Sequence, residues 1–262
     1  MEEKKIERSF WDAADAGRTR DVKEILETHP SLDVNWSGGF NGKCALHRAC
    51  ENGHDDIVAI LLAHPGVNVN QTDNSGDTPF LWACITDNPV TLRLLLRDSR
   101  VLLNEADNGG RTPLRYAAYW GRLNHIKLWI ASGREINLGQ PGNRDTDAIG
   151  EARSHGKTEV AALLERFKTN PTETRHEMRI EVGYFEKPAA EVFALVVFVS
   201  DGLLNIKTGE KAPTPAAKFF RIACELPLEL QMVLCYRVVE SAQEIILGEE
   251  SEQAFKDLAR RI

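Results

Sequence analysis

The sequence predicts an all-α solenoid of stacked two-helix units, followed by a smaller helical region. Three recurrences predict it. The motif Ala-x-x-x-Gly starts at Ala13, Ala49, Ala117 and Ala152, and Ala83 falls in phase with Asp87 replacing the glycine, so successive alanines are 36, 34, 34 and 35 residues apart. An apolar-Asn pair keeps the same beat at Val34-Asn35, Val69-Asn70, Leu103-Asn104 and Ile136-Asn137. Thr-Pro pairs stand at Thr78-Pro79 and Thr112-Pro113, echoed weakly by Cys44-Ala45-Leu46. Self-similarity at a period of ~20–50 residues is the mark of a stacked array.

Each marker has a physical task. The first unit, Ser9 to Gly17, lacks Thr-Pro and begins among charges, as an N-terminal cap should. In the middle units Thr78 and Thr112 can cap the free N–H groups that open a helix. Pro79 and Pro113 follow at the first helical position, where the missing N–H costs nothing. Ala49, Ala83 and Ala117 let neighbouring helices approach closely, and Gly53 and Gly121 end the short helix in a left-handed conformation. The second helix is apolar on one face: Ile57, Leu61 and Leu62, then Leu92, Leu95 and Leu96, then Ile126 and Ile130. The clusters Asp73-Asn-Ser-Gly76 and Asp107-Asn-Gly-Gly110 suit tight turns. In the third unit Asp87-Asn88-Pro89 replaces the glycine turn, and Pro89 can open the second helix. The fifth carries Asp147-Ala148-Ile149-Gly150 and reads as a degenerate terminal unit. One such unit cannot bury its own apolar face, whereas stacked neighbours can.

The stretch Cys44-Ala-Leu-His-Arg-Ala-Cys-Glu-Asn-Gly-His-Asp-Asp-Ile-Val-Ala-Ile-Leu-Leu62 resembles an ankyrin repeat, and so does Gly110-Arg-Thr-Pro-Leu-Arg-Tyr-Ala-Ala-Tyr-Trp-Gly121. The resemblance covers about residues 5–167. The Trp-x-x-Leu-Gly-x-x-Tyr pattern of tetratricopeptide arrays, which have a similar period, is absent. The resemblance implies a cupped-hand solenoid that binds a partner protein on its concave face. Sideways turns form fingers, and the first helices form a palm. By phase, the finger positions are Phe40, Asn41 and Lys43; Asn74, Ser75 and Asp77; Asn108, Gly109 and Arg111; and Asn143 and Arg144. The palm positions are Glu51 and Asn52, Ile85 and Thr86, and Tyr119 and Trp120. Tyr119 and Trp120, with Arg111 and Arg115 close by, have the composition of an interface hot spot. Packing of Trp120 on the neighbouring repeat or the tail is the competing reading. Trp36 is a candidate shield for the tip that carries Phe40.

Residues 1–167 form the expected repeat domain, and 168–178, polar and containing Pro171, read as a linker. Residues 179–262 lose the repeat phase and carry four helical patterns, with a strand alternative for Val192 to Val199. Within them Glu225-Leu-Pro-Leu-Glu-Leu230 resembles the opening of an F-box. That resemblance gives the alternative reading of a ubiquitin-ligase substrate receptor. Leu-Pro before a helix is common, because proline suits a first helical position.

The 262 residues are 42% hydrophobic and 27% charged, which argues against a largely disordered chain. The net charge of −7 argues against a general nucleic-acid binder. The apolar run Phe193–Val199 is far short of the ~20 residues of a membrane span, and the charged N-terminus does not read as a secretory leader. Five cysteines without paired spacing read as reduced thiols, so the cytoplasm is the expected location, with nuclear entry left open. Cys44, His47, Cys50 and His54 have metal-ligand chemistry, but on a helix they spread over ~15 Å, too far for one tetrahedral ion. Gly156-Lys157-Thr158 lacks the correctly spaced glycine of a phosphate-binding loop. Asn35-Trp36-Ser37 matches a glycosylation sequon by pattern alone. No nucleophile, base and orienting group stand together. The expectation is therefore a non-catalytic scaffold or adaptor with a protein partner and no cofactor, metal, nucleic acid, membrane or small-molecule substrate.

Overall fold

A computed structural model describes residues 2–39, 41–143 and 146–183. Phe40, Arg144, the F-box-like stretch and the helical or strand patterns beyond residue 183 lie outside the described residues. The chain divides into two compact units, Met1–Arg175 and His176–Ile262. The first holds the repeats.

Among its described residues, five helical hairpins follow one another. They are α1 (Glu2–Asp15) with α2 (Thr19–Thr28), α3 (Ala45–Asn52) with α4 (Asp55–Ala63), α5 (Pro79–Ile85) with α6 (Pro89–Arg97), α7 (Pro113–Trp120) with α8 (Leu123–Ser132), and α9 (Ala148–Ser154) with α10 (Thr158–Thr169). The first helices pack in series, α1 on α3, α3 on α5, α5 on α7 and α7 on α9, and the second helices form a parallel row. The phased alanines explain this spacing. Ala13, Ala49, Ala83, Ala117 and Ala152 are at most 1% exposed, so adjoining helices meet almost backbone to backbone. The second row supplies the bulk: Val58, Leu92 and Ile126 repeat at one position, and Leu61, Leu95, Trp129 and Leu164 at another, all fully or nearly fully buried. Each such side chain contributes about 1.5–3 kcal/mol on burial. Trp129 meets Phe80 edge to face, with ring centroids 4.9 Å apart.

The helix ends follow the sequence signals. Thr78 Oγ1 accepts from the Leu81 N–H at 3.2 Å, and Thr112 Oγ1 from the Arg115 N–H at 3.4 Å. Gly53 and Gly121 close α3 and α7 at φ +70°, a region costly for residues with a Cβ. In the third unit α5 instead ends at Thr86 in an extended conformation, and Asn88 caps α6 through its side chain. Arg122 of the next unit compensates: its Nε–H donates to the Ile85 carbonyl at 2.9 Å and its guanidinium pairs with Asp87.

The segment 168–178, read as a linker from its polarity, is helical. It covers the last residues of α10 and most of α11 (Pro171–Glu181). The reason is local. Asn170 accepts from the Glu173 N–H at 3.4 Å while its own amide reaches back to the Glu173 carboxylate, and Pro171 occupies the first helical position.

A row of arginines stitches the second helices together. Arg100 Nη2 donates to the Leu62 carbonyl at 2.6 Å. Arg134, 34 residues on, donates to the carbonyls of Leu96 (3.4 Å), Asp98 (2.7 Å) and Val101 (2.6 Å). Arg175 in α11 donates to the Ile130 carbonyl at 3.3 Å. Leu62, Leu96 and Ile130 are themselves 34 residues apart and near the ends of α4, α6 and α8. Each guanidinium thus meets orphan carbonyls at the negative end of a helix dipole. Arg175 lies out of phase, so it supplies from α11 the contact that an arginine near residue 168, at the end of the fifth unit, would otherwise make.

Candidate functional site

The fingers are built by buried aspartates. Asp73 Oδ1 accepts from the N–H groups of Ser75 (2.8 Å) and Asp77 (3.0 Å), and Asp107 Oδ1 accepts from Gly109 (2.8 Å) and Arg111 (2.9 Å). Each carboxylate thereby folds its own turn. Successive turns are then hydrogen-bonded in series, Asn74 N–H to Asn41 O at 3.0 Å and Asn108 N–H to Ser75 O at 2.9 Å. The approach leaves no room at Gly76, where a Cβ would lie 2.6 Å from Asn108 Oδ1. The first finger is the two-residue ladder of β1 (Ser37–Gly38) and β2 (Lys43–Cys44), with Gly38 beneath the Trp36 and Trp11 rings.

His47 locks a finger to the neighbouring helix. Its Nδ1 accepts from the Cys44 N–H at 3.2 Å and its Nε2 donates to the Asp77 carbonyl at 2.9 Å. Burial pushes its pKa down, so the ring stays neutral. His54 Nε2 lies 3.0 Å from the Asp15 carbonyl. These two rings therefore have intramolecular partners, as the packing reading of the Cys/His cluster expects. Burial raises the Cys44, Cys50 and Cys84 thiols above the ordinary cysteine range.

Asn41, Asn74, Ser75, Asn108, Arg111 and Asn143 are exposed, and Asp77 is half-buried. Lys43 departs from the expectation of an accessible finger. It is 5% exposed, with Nζ 2.8 Å from Glu51 Oε2 and 3.3 Å from the centre of the Trp82 ring. Trp82 comes from the next unit, so the burial depends on a contact between repeats. Glu51 also pairs with Arg48, which pairs in turn with Asp15 and lies over Trp11. Asn52 is exposed yet tied to Asp15 by its amide. Ile85 and Thr86 are half-buried. Tyr119 leans on His155 (ring centroids 4.4 Å apart) and on Trp120 (5.1 Å), while Trp120 is 48% exposed.

The position just before Ala49, Ala83, Ala117 and Ala152 was not among the expected palm residues. It carries Arg48, Trp82, Tyr116 and Glu151, all half-buried on the same face as the expected palm residues. Their aromatic and charged character was the available signal. Trp82 Nε1–H donates to Asp73 Oδ2 at 3.2 Å, and Tyr116 O–H donates to Asp107 Oδ2 at 2.8 Å. Burial and the Asp107 carboxylate push the Tyr116 hydroxyl up to about 12. Arg115 pairs with Glu151 at 3.0 Å. Burial, with Asp73 and Asp107 nearby, pushes Asp77 up to about 6, and its Oδ1 is enclosed without a hydrogen-bond partner.

A row of short helices edged by hydrogen-bonded turns, with aromatic and paired ionic side chains on the shared face, is the architecture of a repeat solenoid. The family model described as ankyrin repeats (3 copies) matches residues 10–101 and 66–140, together half of the 262 residues, and the chain belongs to the ankyrin-repeat family. Ankyrin repeats generally mediate protein–protein interaction and are typically non-enzymatic. The chain is similar to SMC5-SMC6 complex localization factor protein 1 of Bos taurus, 40% identical over 70 residues, 26% of this chain and 7% of that protein. It is also similar to the ankyrin repeat protein YahD of Escherichia coli strain K12, 43% identical over 67 residues, 26% of this chain and 32% of that protein. Tyrosine-protein kinase HTK16 of Hydra vulgaris is 36% identical over 73 residues, 28% of this chain and 10% of the kinase. The chain thus spans a third or less of these relatives. No described helix is long and apolar enough to cross a membrane.

Proposed function

We propose that this chain is a non-catalytic scaffold or adaptor that binds a partner protein on the concave face of its repeats. The observation that carries the reading is the half-open aromatic surface of Trp82, Tyr116, Tyr119 and Trp120, with Trp120 48% exposed. Large aromatic side chains beside arginines are the residues that dominate protein interfaces. The surrounding charges are already paired within the array, which holds that surface in one geometry and lowers the ordering cost of binding. Cytoplasmic residence agrees with the free, buried thiols of Cys44, Cys50 and Cys84.

The test uses the intact chain as bait against Tyr119→Ala/Trp120→Ala, with Leu102→Ala, an exposed residue between units, as control. A mass-identified partner should be retained by wild type and by Leu102→Ala and lost by the double variant, whose melting temperature stays within a few degrees of wild type. Equal retention by all three contradicts the reading. Collapse of the fold in the double variant would assign these rings to packing.

A further inference from the structure

We infer that the seam between α6 and α8, where the third unit meets the fourth, is an acid-opened joint with the buried imidazole of His125 as its trigger. The inference stands apart from the choice of binding face.

The repeat shows why this place differs from its counterparts. Thr91 and His125 hold the same position in successive second helices, 34 residues apart. Thr91 is fully buried, and its Oγ1 donates to Asp55 Oδ1 of the preceding unit at 2.5 Å. The Asn88 amide donates to the same oxygen at 3.0 Å, which locks α4 to α6. One period on, Pro89 stands in the place of that aspartate and has no side-chain acceptor. His125 is 2% exposed, and neither ring nitrogen has a hydrogen-bond partner among the described residues. Ile57 and Val160 fill this position in the second and fifth units, so packing alone calls for an apolar side chain.

A neutral imidazole is tolerated there at a cost, but an imidazolium is not. It carries two N–H donors and a charge, and the closed seam pairs neither nitrogen. The charged groups acting on the ring are Asp87, in the turn before α6, and Arg122, in the turn before α8. Arg122 repels a second cation. Asp87 attracts it, but its carboxylate is 76% exposed and already pairs with Arg122 at 3.1 Å. Lys157, at the start of α10, lies along Gly121. The Asn88 main chain favours the charged ring least, and its carbonyl already accepts from the Leu92 N–H at 3.3 Å. Burial is the largest influence and holds the ring neutral. A protonated His125 is therefore stable only where it reaches water and Asp87, which requires α8 to part from α6.

The local structure favours that parting. His125 lies in the first turn of α8, which opens without a side-chain cap, whereas Asn88 caps α6. The third unit contains Trp82 and Ile85, and the fourth contains Tyr119 and Trp120, so an open seam disturbs the aromatic surface they share. The sign follows from burial. The pKa of the folded state lies below 6.5, so closure is lost as the pH falls through 6.5 towards that value. Asp77, raised to about 6, gains stability over the same descent, so the two effects separate by sign.

The test is hydrogen–deuterium exchange of the full chain at pH 7 and pH 5, read as protection factors in α4, α6 and α8. Protection in α6 and in the first turns of α8 should fall at pH 5, while α4 keeps its own. His125→Leu should hold α6 and α8 protected at both pH values. Pro89→Asp restores the aspartate found one period earlier, offers the imidazolium an acceptor and should also abolish the loss. It keeps the test decisive should His125→Leu fold poorly. Unchanged protection in the wild type, a loss shared equally by α4, or an undiminished loss in either folded variant overturns the inference.

Discussion

Arg134→Ala removes the broadest stitch between the third and fourth units. The guanidinium donates to three main-chain carbonyls, two of them at 2.7 and 2.6 Å and one at 3.4 Å. A hydrogen bond from a charged donor contributes about 1.5–3 kcal/mol net. The site is half-buried, so water replaces part of what is lost. Two good bonds and one marginal bond, discounted for hydration, give a destabilisation of about 2–3 kcal/mol. For a folded unit of this size each 1 kcal/mol moves the melting temperature by about 2–4 °C, so the drop should be about 4–12 °C. Lysine offers one ammonium in place of the fork and cannot span the three carbonyls, so Arg134→Lys should recover less than half of the loss. Thermal unfolding followed by circular dichroism at 222 nm measures both. A change within 1 °C for Arg134→Ala would refute the view that arginines at the helix ends couple adjacent repeats.

Thr112→Ala removes the cap of α7 and should cost about 1 kcal/mol in a urea titration, with an unchanged slope. Asp77 has a folded-state pKa raised from 3.8 to about 6, so its ionisation opposes folding above that range and stability is gained as the pH falls from about 6 towards 4. Asp77→Asn should raise the melting temperature at pH 7 and remove that gain; an unchanged pH profile would contradict it. Buried His125 has the opposite sign: burial lowers its pKa from 6.5, so stability is lost as the pH falls through 6.5 towards the folded value. His125→Leu should weaken that acid-side loss, because Ile57 and Val160 occupy the corresponding positions in other units. Arg175→Ala should open the end of α8 and raise amide exchange at residues 130–133, whereas unaltered exchange there would deny α11 its role against the fourth unit.

The sequence made legible whatever depends on local backbone demands. The threonine caps, the prolines at first helical positions and the left-handed glycines each answer to a few neighbouring residues, so their recurrence revealed the two-helix unit. Pro89 could be read as a helix start because proline suits a first helical position, whereas the side-chain cap by Asn88 emerged from the coordinates. Lys43 was misplaced because its burial depends on Trp82, 39 residues away and in another unit. The helix at Pro171–Glu181 was hidden by its polarity, although Asn170 and Glu173 have capping-box spacing. Arg100 and Arg134 stood visibly one period apart, but only coordinates connect them to the carbonyls of Leu62 and Leu96. Trp82 and Tyr116 were passed over because the palm was sought only after the phased alanines and not just before them. Those two rings join otherwise separate finger and helix residues into one surface.

The central claim is that a rigid face of this array does the work, with no reactive group involved. Hydrogen–deuterium exchange of the intact chain, alone and with a captured partner, tests it most directly. Protection should appear in the turns at 73–77 and 107–111 and in the first helices α5 and α7. Exchange in the second helices α4, α6 and α8 should stay as it is. Protection confined to the second helices, or to residues beyond 183, would contradict the account.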